Sequence, residues 1–277
     1  MIRDLPTNTP PPELFHYTSA AGLCAILRDK KLRASSVRFV NDWDELHKGI
    51  ELTRHLLEER ATAETVEGVA RSLNGLATRL GTGLLARDPD MFAPVTICAF
   101  SLSRNGDQLS QWRAYCPQEG GYAIGVDSGL LQRSIERTDW KLIRCRYSAV
   151  DQQELLAALV NWIHEMAKAD PVNLLENFWR QLLPYAAAIK NEAFKEEDEW
   201  RLVSAKRTFT QLKVRHTAGL LIPYDEIDIS GAPVIRRIRV GPNPHLETAV
   251  IGTTAAVASN HLMIRVEHST IPYRVVR

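Results

Sequence analysis

Two stretches of helical apolar periodicity, about 43–87 and 151–191, interrupt a chain whose other apolar segments are short and strand-like. That spacing constrains the fold more than any other feature. A doubly wound parallel sheet needs strands and helices in strict alternation. Here the candidate strands gather around two long helical blocks, which favours α+β. Strands are expected at Leu14–Tyr17, Leu32–Ala34, Arg38–Val40, Val95–Ser101, Tyr122–Asp127, Lys141–Tyr147, Glu199–Ser204, Val234–Val240 and His261–Glu267. Ser19 can cap a helix over Ala20–Asp29 with Leu23, Ile26 and Leu27 on one stripe; Asp107 can cap a short helix through Tyr115. In the first long block Leu46, Ile50, Leu52 and Leu56 should face inward. The expected organisation is a flexible lead-in at 1–13, holding the Pro10–Pro12 run, and one α+β domain at 14–277 carrying the two helical blocks as insertions.

A chain of 277 residues that is 45% apolar and 24% charged can bury a core without disulfides or metal. Its 34 Lys and Arg nearly balance 33 Asp and Glu, which argues against a dedicated nucleic-acid or membrane-surface binder. The balance is uneven: residues 205–277 hold ten basic and five acidic side chains. Arg236, Arg237 and Arg239 are interspersed with apolar residues along one expected strand, either as a half-exposed face or as a phosphate-attracting wall beside a cleft. No apolar run is long enough for a membrane helix, and the first residues lack the apolar core of a secretory signal. None of Cys24, Cys98, Cys116 and Cys145 stands in a C-x-x-C pair. Cys24, Cys98 and Cys145 read as reduced core thiols, and a cytoplasmic protein is expected. Rossmann, P-loop, H-E-x-x-H and G-x-S-x-G motifs are missing, which argues against the sites they build.

Four clusters could carry chemistry. His16 and Tyr17 end the first strand, where a ring nitrogen could bond a ribose hydroxyl and a phenol could offer a flat face; a strand-end pair satisfied by backbone is the alternative. Asp42, Asp44 and Glu45 crowd three carboxylates into four positions, able to start a helix, hold an arginine or bind a cation. Gln108, Trp112 and Tyr115 fall on one helix face, suited either to stacking on a heterocycle or to the core. In the strand from Glu199, Trp200 and Leu202 should face the core, with Glu199 and Arg201 opposite them as a surface ion pair or a cleft lining. Glu196, Glu197 and Asp198 read as a solvated lead-in.

In this order the clusters resemble a bacterial family catalogued as domain of unknown function 2971. The shared elements are His16-Tyr17-Thr18, Asn41-Asp42 with Glu45, Cys98 with Phe100-Ser101, Trp112 with Tyr115, Gly121 with Ile124-Gly125, Glu197 through Leu202, and Pro272-Tyr273-Arg274, so the resemblance runs along nearly the whole chain. More distantly, the opening H-Y-T strand, L-x-x-I-L helix and L-R-A strand are similar to those of ADP-ribosyltransferases, most of all the DNA-modifying toxins. That resemblance implies an ADP-ribosyltransferase-like split mixed β-sheet, with NAD as co-substrate and no metal. It assigns the ribose contact to His16, the stacking aromatic to Tyr115 or Trp112, and the catalytic carboxylate to Glu199. Tyr17 and Arg201 complete the expected cofactor surroundings. A fixed carboxylate suits this chemistry, because the nicotinamide–ribose bond breaks through an oxocarbenium-like state. The acceptor could be protein, DNA, RNA or a small molecule, and the biological role a toxin or phage-defence effector. Two alternatives stand beside it: a catalytically silent nucleotide- or nucleic-acid-binding sensor, and a hydrolase or nuclease using Asp42, Asp44 and Glu45 with a divalent ion.

Overall fold

The computed structural model describes residues 9–39, 43–81, 95–117, 120–217 and 219–272. In chain order, β1 (Glu13–Thr18), α1 (Ala20–Asp29) and β2 (Lys31–Ser36) come first. The first helical block follows as α2 (Trp43–Ala63) and α3 (Glu67–Gly81). Then come β3 (Val95–Thr96), β4 (Cys98–Ser103), α4 (Leu109–Tyr115), β5 (Tyr122–Asp127), α5 (Ser128–Ile135) and β6 (Lys141–Arg144). The second block is α6 (Ala149–Ala169) and α7 (Leu174–Ala186). The remainder is β7 (Glu199–Val203), β8 (Arg207–Thr208), β9 (Lys213–Thr217), β10 (Leu220–Asp228), β11 (Ile235–Val240), α8 (Leu246–Ser259) and β12 (Arg265–His268).

The fold is mixed α+β, and its main sheet is forked. β4 pairs along one edge with β7, which continues to β6. Along its other edge β4 changes partner: Cys98 and Ala99 pair with β2, Ser103 pairs with β1, and the residues between face the gap. β2 leads to β10 and β9, while β1 leads to β5, β11 and β12. Within this sheet the parallel pair is β11 with β12; the other pairings are antiparallel, as α+β architecture allows.

Each face of the sheet has its own core. The two helical blocks pack together and cover Ile143 and Val203 on one face, through Leu46, Leu57, Leu73, Leu159, Phe178 and Leu182. On α2 the fully buried stripe is Leu46, Ile50 and Leu57, with Leu52 and Leu56 at its margin. Helices α1, α5 and α8 cover the other face, against Leu14, Phe100, Leu102, Trp200 and Leu202. Gly49 lets the blocks approach: a Cβ there would lie 2.7 Å from the Ala186 carbonyl oxygen. No helix among the described residues is long and apolar enough to cross a membrane.

Several expectations are corrected. Val37–Phe39 is a 3-10 turn rather than a strand, and Val40 lies outside the described residues. Pro11 and Pro12, expected in a loose lead-in, are tied down by Ser128, whose hydroxyl donates to the Pro11 carbonyl and whose N–H donates to that of Pro12 at 3.1 Å. Cys24 is exposed, because Leu23, Ile26 and Leu27 turn the other side of α1 inward; Cys98 and Cys145 are buried. Helix α5 and strands β9 and β10 were not expected. Pro223 hides β10, yet only β9 pairs with it at that position, since β2 joins from Tyr224 onward.

Candidate functional site

The fork sets the site. Where β1 and β4 part, Phe15, His16, Tyr17, Ser103, Tyr115 and Glu199 are among the side chains lining a pocket of about 40 Å³. Strand alternation puts His16 and Glu199 on opposite faces: Leu14 and His16 share the face of Leu102 and Trp200, while Phe15, Ser103 and Glu199 share the other. The open fork lets both reach one space. That volume holds about one water, far short of the several hundred Å³ of a ligand-enclosing pocket.

His16 fills the gap in the ladder. Its Nδ1 donates to the Ser101 carbonyl at 3.0 Å, an acceptor left unpaired where β4 changes partner. A carbonyl only accepts, so Nδ1 carries the proton and Nε2 keeps a lone pair. The ring stacks on Phe100 at 4.1 Å. Burial pushes the imidazole down to about 4, against the proton-favouring Ser101 bond, so His16 is neutral at pH 7.

Tyr17 is spent on structure. Its hydroxyl donates to the Asn105 carbonyl at 2.8 Å and accepts from the Gln108 N–H at 3.1 Å, which fixes the loop into α4. Trp112 packs edge-on against Tyr17 at 4.7 Å, is 4% exposed, and belongs to the core with Phe15 and Ala123. Its Nε1 donates to Asp107 at 2.9 Å. Asp107 therefore does not cap α4; it joins the helix to Ser269 and Thr270, and Gln108 takes the cap position without a side-chain bond. Tyr115 is the exposed aromatic, 49% open, with its hydroxyl donating to Glu197 Oε1 at 3.1 Å. Trp112 and Tyr115 thus divide the helix face between core and pocket mouth.

Glu199 sits in a buried ion cluster. Strand alternation places Trp200 and Leu202 in the core as expected, but the opposite side is covered by the helical blocks rather than open. Glu199 is 4% exposed and Arg201 1%. Glu199 Oε1 accepts from Arg201 Nε at 3.0 Å; Oε2 accepts from Arg201 Nη2 at 3.0 Å and from Lys190 Nζ at 2.5 Å. Burial alone would raise this carboxyl, but Arg201 and Lys190 outweigh it and hold it down to about 2. Arg201 also donates to the Ala187 carbonyl past the C-terminus of α7 at 2.7 Å and lies 3.8 Å from Glu45. Arg201 therefore positions Glu199 instead of lining the pocket, and neither the surface ion pair nor the cleft lining describes it.

Glu197 is the residue that sequence reading misplaced. It is buried, not solvated: its Oε2 lies 2.6 Å from Lys190 Nζ, while Oε1 meets Tyr115. Strand alternation does not bring Glu197 beside Glu199, because Glu197 ends a 3-10 turn over Glu192–Glu197 and Asp198, in the left-handed region at φ 37°, turns the chain into β7. Lys190, at 4% exposure between them, carried no sequence signal, because a lysine at a helix end reads as solvated. Glu45 accepts the Asn191 N–H at 2.8 Å, so this acid serves the cluster. Asn41 and Asp42, with the Tyr273–Arg274 pair, lie outside the described residues. Among the described residues, no group of three His, Cys, Asp or Glu side chains could hold a metal ion.

The proposed basic wall is not at this pocket. Arg236 bonds Asp127 at 2.7 Å, Arg237 bonds Glu13 at 2.8 Å, and Arg239 bonds Glu267. The arginines of β11 are matched by acids on β5, β1 and β12. None of them lines the cavity, although Arg239 stands 5.8 Å over the Phe15 ring.

Residues 111–202 match the model of a family described as "Protein of unknown function (DUF2971)". Neither a curated protein nor a solved structure matches the chain. The family likeness thus spans Tyr115, Glu197 and Glu199 of the pocket lining, with Lys190 bonded to both acids, while His16 lies outside the matched residues.

Proposed function

We propose that this protein is an NAD-dependent, ADP-ribosyltransferase-like enzyme. The observation carrying that reading is the fork, where His16 and Glu199, 183 positions apart, meet with Tyr115 at one pocket. Neutral His16 offers an Nε2 lone pair to a ribose hydroxyl. Tyr115 offers a half-exposed ring to the nicotinamide. Three carboxylates, Glu45, Glu197 and Glu199, against two cations, Lys190 and Arg201, leave acid in excess beside the ribose. That excess opposes the positive charge that develops on the ribose as its bond to nicotinamide breaks. The bonding pair leaves on the pyridine nitrogen, which becomes neutral. An acceptor then attacks the ribose carbon and loses its proton. The bulk of the dinucleotide would lie on the open surface beside the pocket, since the pocket itself is small. The biological role that fits is a toxin or phage-defence effector acting on protein, DNA or RNA.

A second reading has its own support. Both oxygens of Glu199 are already bonded and the cavity is water-sized, which suits a catalytically silent nucleotide- or nucleic-acid-binding sensor. Incubation with NAD, alone and with protein, DNA and RNA acceptors, separates the two by mass analysis of released nicotinamide. Release above the buffer rate supports the enzyme. NAD binding without release supports the sensor, and absence of both removes the nucleotide reading.

A further inference from the structure

The two wings of the forked sheet treat positive charge differently. On the β11 wing every strand arginine meets an acid. On the other wing, Arg33 and Ser35 of β2, Tyr224 of β10 and Arg215 of β9 share one face: Ser35 pairs with Tyr224, Ile222 pairs with Arg215, and same-face residues alternate along each strand. The acids on this wing are engaged elsewhere. Asp29 holds Arg33 at 2.9 Å and also Arg28, while Glu226 holds both Lys31 and Lys213 at 2.8 Å. Arg215 has no carboxylate partner among the described residues. Its Nη2 donates to Ser35 Oγ at 2.9 Å. The Arg33 guanidinium lies beside it, 5.5 Å over the Tyr224 ring. Burial first, and then the charge of Arg33, push the Arg215 guanidinium down.

This patch adjoins the pocket. Ser35, itself buried, pairs with Ala99, and Ser101 stands two residues further along β4 on the same face, exposed where β1 and β4 part. Ser101 gives its carbonyl to His16, and the charge of Arg215 is felt at the His16 ring. One strand spacing and two residues separate Ser35 from Ser101, roughly 8 Å.

We infer that Arg215, with Ser35 and Arg33, forms a phosphate subsite that takes the pyrophosphate of a dinucleotide whose ribose end enters between β1 and β4. The inference rests on the NAD reading and supplies the cation that reading lacked, on the wing opposite Arg236, Arg237 and Arg239. Ser35 presents the guanidinium, Arg33 adds a second positive charge, and the fork holds the sugar.

The test is titration with pyrophosphate at low salt, followed by phosphorus NMR or calorimetry, on the wild type, Arg215→Gln and the control Arg236→Gln. Circular dichroism checks that each is folded. The expected result is millimolar or tighter binding to the wild type, weakened about 10-fold or more in Arg215→Gln, unchanged in Arg236→Gln, and weaker as salt rises. No binding to the wild type, equal binding to Arg215→Gln, or equal losses in both variants overturns the subsite. Nicotinamide release is measured in parallel. A wild type that binds pyrophosphate through Arg215 but releases no nicotinamide keeps the subsite and loses the enzyme. A wild type that turns over NAD with KM unchanged in Arg215→Gln keeps the enzyme and loses the subsite.

Discussion

Glu199→Gln is nearly isosteric, and from sequence it should leave folding almost untouched, so that a fall in turnover would report chemistry alone. The structure reverses that expectation. Glu199 is the anion between two buried cations, with Arg201 bonding both of its oxygens and Lys190 bonding one. Arg201 and Lys190 outweigh the burial that would raise it and hold its carboxyl well below the ordinary carboxylate range, at about 2. A glutamine removes the charge and turns N–H donors toward cations that only donate. Breaking a buried pair from one side costs about 3–5 kcal/mol. In a chain of this length that lowers Tm by about 10 °C. Urea unfolding of the wild type, Glu199→Gln, Lys190→Met and the double variant measures both the loss and the coupling. The pH dependence has a fixed sign. Because the folded carboxyl is depressed, its contribution is complete above about 4.5 and is lost as pH falls through about 2. The gap between wild type and Glu199→Gln should therefore narrow over that interval. A Glu199→Gln protein melting within about 3 °C of wild type, with an unchanged acid limb, would show that the cluster is not what holds this face together. Only activity compared at matched folding then bears on catalysis.

Three further outcomes follow from the geometry. Nitrogen-detected NMR of His16 should show a neutral ring protonated on Nδ1 from pH 8 to 5, titrating near 4, and a midpoint near 6.5 would refute its burial against Ser101. Since its folded pKa lies below the unfolded one, stability from His16 is complete above about 6.5 and lost as pH falls through about 4. Tyr17→Phe should cost about 1–2 kcal/mol and speed hydrogen exchange at Gln108, whose N–H it accepts; unchanged exchange removes Tyr17 from loop ordering. Gly49→Ala should destabilise by about 1–3 kcal/mol, although alanine favours helix, because its Cβ would meet the Ala186 backbone; a gain in Tm would show that α2 and α7 can separate freely.

The sequence by itself determined the features that depend on backbone period and on neighbours a few residues away. The Ser19 cap and the Leu23–Ile26–Leu27 stripe, the two helical blocks, and the alternation of Glu199 and Arg201 against Trp200 and Leu202 were all legible in it. What faces each residue across space was decided only by tertiary structure. The strand side holding Glu199 and Arg201 was read as open because nothing local says that α2 and α7 close over it. Glu197 was read as solvated because its partner Lys190 and its neighbour Tyr115 come from other elements. The arginines of β11 looked like an uncompensated wall because Glu13, Asp127 and Glu267 lie on other strands, while the uncompensated cation is Arg215, on a strand masked by Pro223 in its neighbour. The physical reason is the same in each case. Periodicity is written in the local backbone geometry, whereas a charge or a cleft is defined by long-range neighbours, and the change of partner along β4 that opens the pocket belongs to the pairing of strands, not to any one of them.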